Sequence, residues 1–296
     1  MHLWACFTMA KEKTKVGQRI VWLGILLDTV KMTIGIEAVQ ARGFLLQLKE
    51  YTKLIVDLRY LDIGLLRHLA GKLNWYAEVV QSGRLHIHGL WDYISSHPTI
   101  SSSTYDRVIK DLKWWETKLE SWGDDAEAGG EYPILNGQEL LSNPGWIEIL
   151  QSDASGTDGF GYIWSTLGEV KESYNWYASQ WGADMPTQSH EAELRALHHF
   201  IKQRTHSSKL IVWVSDSESA CWTINKGHCK DPKAYALLEE LFQECERIAV
   251  QVIALWVPRE QNQLTDYLSH FAMLMDRVEI EGSSNEFASS SRVKDN

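Results

Sequence analysis

Apolar and polar residues repeat with different periods in the two parts of the chain. Over residues 37–122, apolar side chains return every three or four positions, which predicts a series of amphipathic helices. Residues 19–36 instead hold an apolar run, the turn pair Asp28-Thr29 and a short alternating segment. This pattern predicts a β-hairpin of two strands ahead of the helices.

From residue 146 onward, short apolar runs alternate with longer helical periods. The run at 210–215, Leu-Ile-Val-Trp-Val-Ser, is the clearest strand in the chain. We predict strands near 146–153, 159–166, 172–179, 209–215 and 250–256, and helices near 189–204, 217–226, 232–247 and 262–272. Strands interleaved with helices favour an α/β fold for this part.

Turn-forming and polar segments suggest the limits of the domains. Residues 123–145 are acidic and rich in glycine, so we expect a linker between a first domain at 1–122 and a second at 146–272. Residues 273–296 are polar and rich in serine, which predicts a disordered tail.

The charge of the chain is uneven. The net charge is −10, which by itself disfavours nucleic acid as a partner. Residues 1–120, however, carry 16 Lys and Arg against 12 Asp and Glu, whereas residues 121–296 carry 13 against 27. Such asymmetry is typical of halves with different tasks, and an acidic half is either a solvated surface or a place that gathers cations.

Cysteine usage and hydropathy favour an intracellular protein. The four cysteines form no Cys-x-x-Cys pair, which argues against a disulfide framework or a zinc knuckle. No apolar run reaches the roughly 18 residues of a membrane helix, and the start does not resemble a signal peptide. We expect a location in the cytoplasm or the nucleus.

Carboxylates stand where predicted strands end and helices begin. Asp153 follows the strand near 146–153 and precedes Gly156, Gly159 and Gly161, which permit a tight turn and a close return of the backbone. Asp216 follows the strand at 210–215. Alone, the first acid is compatible with a solvated turn and the second with a helix N-cap.

Two further acids lie on predicted helices. Glu193 precedes the apolar stripe of the helix near 189–204, and we place the neighbouring Glu191 nearer solvent. The alternative is that both only complement the helix N-terminus. Asp266 lies in the first turn of the last helix. Four acids on two strand ends and two helices predict an oxygen-rich site for Mg²⁺ or Mn²⁺.

These acids lie in segments that resemble the motif series of type 1 ribonuclease H. The segments are Ser-Asp-Ala-Ser-Gly at 152–156, Glu-Ala-Glu-Leu-Arg-Ala-Leu at 191–197, Val-Ser-Asp-Ser at 214–217 and Pro-Arg-Glu-Gln-Asn-Gln-Leu-Thr-Asp-Tyr-Leu-Ser at 258–269. The likeness is greatest to ribonuclease H domains of retrotransposon polyproteins, and among those to the domains of DIRS-like elements. Upstream, residues 21–33 and 66–76 look like the post-active-site hairpin and the thumb or connection helix of their reverse transcriptases.

The resemblance implies a fold, a cofactor and a substrate. It implies a mixed five-stranded sheet flanked by helices, two Mg²⁺ ions with Mn²⁺ as a substitute, and cleavage of the RNA strand of RNA–DNA hybrids. Carried over by motif, Asp153, Glu193, Asp216 and Asp266 are the catalytic metal ligands. Glu193 is preferred to Glu191 because Leu-x-Ala follows it, as in the family.

Two departures from the family pattern bear on function. The polymerase carboxylates are missing, so this chain alone cannot be a reverse transcriptase. The palm and fingers region of such a reverse transcriptase is therefore an expected partner. The loop at 259–263 lacks the histidine of many cellular enzymes, so Arg259 or Glu260 is a candidate to act there instead. The alternative function is an inactive ribonuclease H-fold module that binds nucleic acid or protein.

Polar residues near the predicted site are candidates for contacts with the hybrid. Ser155 and Gln188 are placed to contact the 2′-hydroxyl of RNA, and Arg259 lies in the loop before the last acid. Asn225 and Lys226 are candidates for phosphate contacts, although a solvated helix end explains them equally well.

Overall fold

In a computed structural model, the protein folds into two compact units, residues 1–136 and 137–296. The structure describes residues 17–58, 62–80, 82–96, 102–122, 128–135, 137–168, 174–183, 185–203, 207–274 and 279–283. Among these residues, no helix combines the length and the apolar character needed to cross a lipid bilayer.

The first unit contains a four-stranded antiparallel sheet in the order β1-β2-β3-β4. The strands are β1 (Arg19–Trp22), β2 (Ile25–Asp28), β3 (Thr33–Glu37) and β4 (Ala128–Pro133). The sequence predicted only two strands over residues 19–36. The apolar run is instead broken at Leu23 and Gly24, whose φ angles of 51° and 86° allow a two-residue turn between antiparallel strands.

Strand β4 corrects the prediction that residues 123–145 form a linker. Its register with β3 places Tyr132 opposite Ile34 and Gly129 opposite Ile36, with an irregularity between the two pairs. Glycine and proline made this segment look like a turn, but pairing with β3 satisfies its backbone groups as a strand. Helix α5 (Gly137–Ser142), also within the expected linker, begins the second unit.

Helices make up most of the remaining described part of the first unit, as predicted. They are α1 (Ala38–Leu58), α2 (Ile63–Tyr76), α3 (His88–Ser96) and α4 (Ser102–Glu120). Asp62 caps α2 by accepting a hydrogen bond from the Leu65 amide at 2.6 Å. The helices bury one apolar cluster that includes Leu48, Leu69 and Trp115.

The second unit is built on a sheet in the order β10-β7-β6-β5-β8-β9. Its strands are β5 (Ile147–Ala154), β6 (Gly159–Thr166), β7 (Asn175–Gln180), β8 (Leu210–Ser215), β9 (Gln251–Trp256) and β10 (Glu279–Ser283). Strands β5, β8 and β9 are parallel, and the other pairings are antiparallel. The five strands β7-β6-β5-β8-β9 form the predicted ribonuclease H-like mixed sheet, so the predicted fold class is confirmed.

Helices flank this sheet and deliver side chains to the end of β5. They are α6 (Ser189–Gln203), α7 (Glu218–Lys226), α8 (Pro232–Arg247) and α9 (Gln263–Leu274). Adjacent residues of a strand point to opposite faces of a sheet. Accordingly, Ser152 meets Glu193 of α6, whereas Asp153 meets Ser269 of α9.

Strand β10 corrects the expectation of a disordered tail over 273–296. Helix α9 continues to Leu274, and residues 279–283 pair with β7, with Ile280 opposite Ala178. The polar composition of this segment suits an edge strand, which gains its backbone hydrogen bonds from β7. The remainder of the predicted tail, residues 284–296, lies outside the described residues.

At the other edge of the sheet, a side chain contacts the backbone of β9. The Asn225 amide nitrogen donates to the Ala254 carbonyl at 2.8 Å, and the Ala254 N–H donates to the Asn225 side-chain oxygen at 3.0 Å. Asn225 therefore forms the pair of hydrogen bonds that a neighbouring strand would form at this position.

Candidate active site

Asp153 is buried at the end of β5, beneath α9. Its Oδ2 accepts a hydrogen bond of 2.6 Å from the Ser269 hydroxyl. Burial raises the pKa of the Asp153 carboxyl, the hydrogen bond from Ser269 opposes this, and the charges of Asp216 and Asp266 raise it further. The net shift is upward, so ionised Asp153 is destabilised unless positive charge lies nearby.

Glu193 reaches the same strand end from α6 and is only 2% exposed. Its Oε2 accepts hydrogen bonds from the hydroxyls of Ser152 at 3.0 Å and Ser215 at 3.1 Å, and its Oε1 accepts from the Ala154 amide at 2.7 Å. Burial, followed by the negative charge of Asp153, nevertheless raises the pKa of Glu193 to about 8. The protein thus holds a carboxylate in place in surroundings that disfavour its charge.

Asp216 completes a compact group of three carboxyls. One ligand oxygen from each of Asp153, Glu193 and Asp216 lies within 4.8 Å of the others. The N-cap of α7 is Ser217, whose hydroxyl accepts from the Ala220 amide at 3.4 Å, so capping does not explain Asp216. The Asp216 carbonyl oxygen accepts a hydrogen bond from the Trp256 indole, which helps to fix this turn.

Asp266 lines the same cavity from the first turn of α9. The cavity has a volume of about 320 Å³, and its lining includes Asp153, Glu193, Asp216, Asp266, Arg259 and His270. The Arg259 guanidinium donates to Asp266 Oδ1 at 2.6 Å. The structure therefore brings together all four acids that the motifs single out, with one arginine beside them.

Glu191 is not exposed as we expected from the helical pattern, but only 1% exposed. It accepts hydrogen bonds from the backbone and hydroxyl of Thr187 and from Arg195 at 2.7 Å. Burial raises the pKa of Glu191, but these donors outweigh it and the net shift is downward. Its oxygens are engaged in holding the start of α6, which agrees with the choice of Glu193 for the site.

The predicted nucleic-acid contacts separate into two groups. Ser155 and Arg259 line the cavity. Gln188, Asn225 and Lys226 are not among its lining residues. Gln188 donates to Asp231 at 3.4 Å, Asn225 is bound to β9, and the Lys226 ammonium lies 4.0 Å from the ring centre of Trp222. The Asn225 side chain uses its oxygen and one N–H on β9, and its contact with phosphate stays a prediction.

His270 is a lining residue that sequence reasoning missed. It lies on α9, one helical turn beyond Asp266, and its Nδ1 is 2.5 Å from Asp158 Oδ2. The family pattern directs attention to a histidine in the loop at 259–263 and not in the helix after it. The spacing of four residues from Asp266 was the available signal, since such residues share a helix face.

Comparison with known proteins finds no matching family model and no matching curated protein. Among solved structures, the chain is similar to the N-terminal ribonuclease H domain of a Mycobacterium tuberculosis protein, at 18% identity and a TM-score of 0.33. That match covers 43% of this chain and 98% of the other. The chain is also similar to ribonuclease H1 of Halobacterium salinarum, at 15% identity and a TM-score of 0.34. That match covers 43% of this chain and 96% of the other.

A third similar structure is the foamy viral protease-reverse transcriptase in complex with an RNA/DNA hybrid. Its identity is 11% and its TM-score 0.31, and the match covers 86% of this chain and 52% of the viral one. The chain is thus similar to nearly the whole length of two ribonuclease H chains and to about half of a viral reverse transcriptase.

Proposed function

We propose that the second unit is a divalent-metal-dependent endonuclease that hydrolyses the RNA strand of RNA–DNA hybrids. The observation that carries this proposal is the convergence of Asp153, Glu193, Asp216 and Asp266, from four different elements, on one cavity. Burial and the nearness of like charges make it costly to ionise these carboxyls together, and a bound cation would offset that cost. The motif resemblance is the basis for the proposed substrate class, and on the same basis we propose that the unit is part of a retroelement polyprotein of the DIRS-like kind.

The donor set fits Mg²⁺, with Mn²⁺ as a substitute. All four candidate ligands offer carboxylate oxygens, which these hard cations prefer to nitrogen or sulfur. The raised pKa of Glu193 supports the fit, because a bound cation would favour the ionised form that burial disfavours. When bound, a pair of such ions would supply an activated water and charge stabilisation for the leaving oxygen.

The residues of the chain have separate tasks in this proposal. Ser152, Ser215 and the Ala154 amide orient Glu193, and Ser269 orients Asp153. Ser155, on the cavity wall, is the proposed contact for a ribose 2′-hydroxyl, which distinguishes RNA from DNA. The basic residues of 1–120 and the polymerase palm and fingers region are the proposed aids in holding the hybrid backbone.

The first test is cleavage of an end-labelled RNA–DNA hybrid in Mg²⁺, with single-stranded RNA and duplex DNA as controls. We expect Asp216→Asn to lower the rate by about 10³-fold or more, because a candidate ligand loses its charge. We expect Glu218→Gln to cleave like the wild type, since this exposed acid on α7 does not line the cavity. Thermal melts would verify that both variants are folded.

Two results would contradict the proposal. One is undiminished metal-dependent cleavage by Asp216→Asn. The other is a wild type that binds the hybrid but does not cleave it in Mg²⁺ or Mn²⁺, with or without the reverse transcriptase palm and fingers region. The second result would favour the inactive binding module.

A further inference from the structure

His270 lines the carboxylate cavity and forms a hydrogen-bonded pair with Asp158. Asp158 lies in the turn between β5 and β6, and His270 lies on α9. Asp158 is held from its other side by the Thr157 hydroxyl, which donates to Oδ1 at 2.9 Å. The hydrogen bonds from His270 and Thr157 keep the pKa of Asp158 below its ordinary range, so this partner is an anion.

This pairing leaves one ring nitrogen of His270 for a ligand. Nδ1 faces Asp158, so Nε2 is the atom that can meet a group in the cavity. The His270 side chain is 48% exposed, and it is therefore reachable by a substrate. Among the residues that line the cavity, Arg259 and His270 are the two that can carry positive charge, and Arg259 is bound to Asp266.

Of these two residues, His270 is suited to proton transfer. An arginine keeps its proton at any ordinary pH, whereas an imidazole can give up a proton and recover it near neutrality. A leaving alkoxide needs a proton as its bond to phosphorus breaks, because it is a very poor leaving group as an anion. The cavity thus places one suitable acid beside the four carboxyls.

We propose that His270 donates a proton from Nε2 to the departing 3′ oxygen of the cleaved RNA strand, with Asp158 as its positioning residue. This inference rests on the proposed function. A water oxygen forms a bond to phosphorus and the bond from phosphorus to the 3′ oxygen breaks. The leaving oxygen takes the His270 proton and becomes a 3′-hydroxyl, while the attacking water releases its proton to solvent. His270 then regains a proton from solvent, and the products are a 3′-hydroxyl and a 5′-phosphate.

The test uses a hybrid in which sulfur replaces the 3′ oxygen at one cleavage position. A thiol has a pKa of about 8.5, so a thiolate leaves without being protonated. For His270→Ala, we expect a fall in rate of about 10²-fold on the oxygen hybrid and less than about 3-fold on the sulfur hybrid. Both hybrids would be assayed in Mn²⁺ with the chain of residues 1–296, under single-turnover conditions.

Two further variants and a rescue measurement complete the experiment. Asp158→Asn should also lower the cleavage rate more on the oxygen hybrid than on the sulfur hybrid, and by a smaller factor than His270→Ala. Added imidazole should restore part of the activity of His270→Ala, because the site is open to solvent. Glu218→Gln, which neutralises an exposed acid of α7 outside the cavity lining, should cleave both hybrids like the wild type.

The outcomes separate this inference from the proposed function. An equal loss on both hybrids in a folded His270→Ala would overturn proton donation and indicate a structural role. An unchanged rate on the oxygen hybrid would also overturn it, while Asp216-dependent cleavage by the wild type would leave the proposed function standing. A wild type without hybrid cleavage would overturn both.

Discussion

Glu193 combines favourable hydrogen bonds with unfavourable burial. Three donors face its two oxygens, as suits a carboxylate, yet desolvation and the nearby Asp153 favour the protonated form. Hydrogen bonds fix the direction of the side chain, and burial together with Asp153 determines its preferred charge. Such a residue is prepared for a cation, since the cation would remove the electrostatic cost without requiring the side chain to move.

This conflict predicts how stability depends on pH in the absence of metal. The folded-state pKa of Glu193 is raised to about 8 from an ordinary value of 4.5, so its contribution to stability is present below 4.5 and is lost as the pH rises through 8. Glutamine does not ionise. We therefore measure the melting temperature of Glu193→Gln minus that of the wild type, in EDTA. We expect this difference to be larger at pH 9 than at pH 5 by about 2 °C or more.

Glu191→Gln serves as the comparison in the same melts. The pKa of Glu191 is lowered, so its contribution is already present above its ordinary value, and its replacement should give no relative rise over that pH interval. If the melting temperatures of Glu193→Gln and the wild type differ by the same amount at every pH, the raised pKa of Glu193 is contradicted.

Sequence reasoning at the scale of single residues was most reliable where a motif supported it. The helical period placed Glu191 nearer solvent, but α6 is packed against α8 as well as the sheet, so both acids are buried. The motif favoured Glu193. In the structure, the hydrogen-bond donors to Glu193 lie at the ends of β5 and β8, whereas those to Glu191 come from Thr187 and Arg195. Asp158 was missed because it is an ordinary polar residue until the fold joins it to His270, whose signal in the sequence was its spacing of four residues from Asp266.

At the scale of elements, the contact between β6 and α9 determines where two of the carboxylates lie. Gly161 lies opposite Asp153 in the sheet, directly beneath α9. A Cβ atom at Gly161 would come within 2.8 Å of the Leu268 carbonyl carbon and 2.9 Å of the Ser269 nitrogen. Ser269 binds Asp153, so a shift of α9 would disturb both that bond and the position of Asp266.

We therefore expect Gly161→Ala to destabilise the fold by about 1–3 kcal/mol, because the added methyl group meets helix backbone. If the proposed function holds, the rate of hybrid cleavage should also fall by about 10-fold or more, since small displacements of catalytic groups are costly. Urea unfolding and the cleavage assay measure the two effects.

Gly156→Ala is the matched control for this variant. A Cβ atom there meets nothing within 4 Å, so stability and cleavage should both change little. Equal behaviour of the two alanine variants would show that α9 is not sensitive to this contact.

The limits of most elements of the second unit could be predicted to within about two residues, because their apolar periods are strong. Three features of the whole fold could not be predicted from the sequence. The turn at Leu23 and Gly24 lies within an unbroken apolar run, and strands β4 and β10 are polar or rich in glycine. Strands β4 and β10 form because each pairs with a partner distant in sequence, β3 in one case and β7 in the other. Short-range patterns do not contain that information.

At the scale of the whole molecule, the division at residues 136 and 137 predicts which fragment folds by itself. The second unit has its own sheet and helices, with β10 as a terminal strand. We expect a fragment of residues 137–296 to melt cooperatively. Removal of residues 275–296 should lower its melting temperature by several degrees, because β7 loses its pairing with β10.

A fragment of residues 137–283 separates the contribution of β10 from that of residues 284–296. It retains β10 and should melt like the fragment of residues 137–296. If the fragment that ends at 274 melts at the same temperature as the other two, β10 contributes nothing measurable to stability.

The contact of Asn225 with β9 has a consequence for the behaviour of the protein in concentrated solution. An edge strand with free backbone groups can recruit a strand from another molecule, which begins aggregation. Ile253 and Leu255, on either side of Ala254, are partly exposed and would favour such an encounter. By occupying the N–H and C=O of Ala254, Asn225 leaves these two groups unable to pair with a strand of another molecule at the middle of the edge.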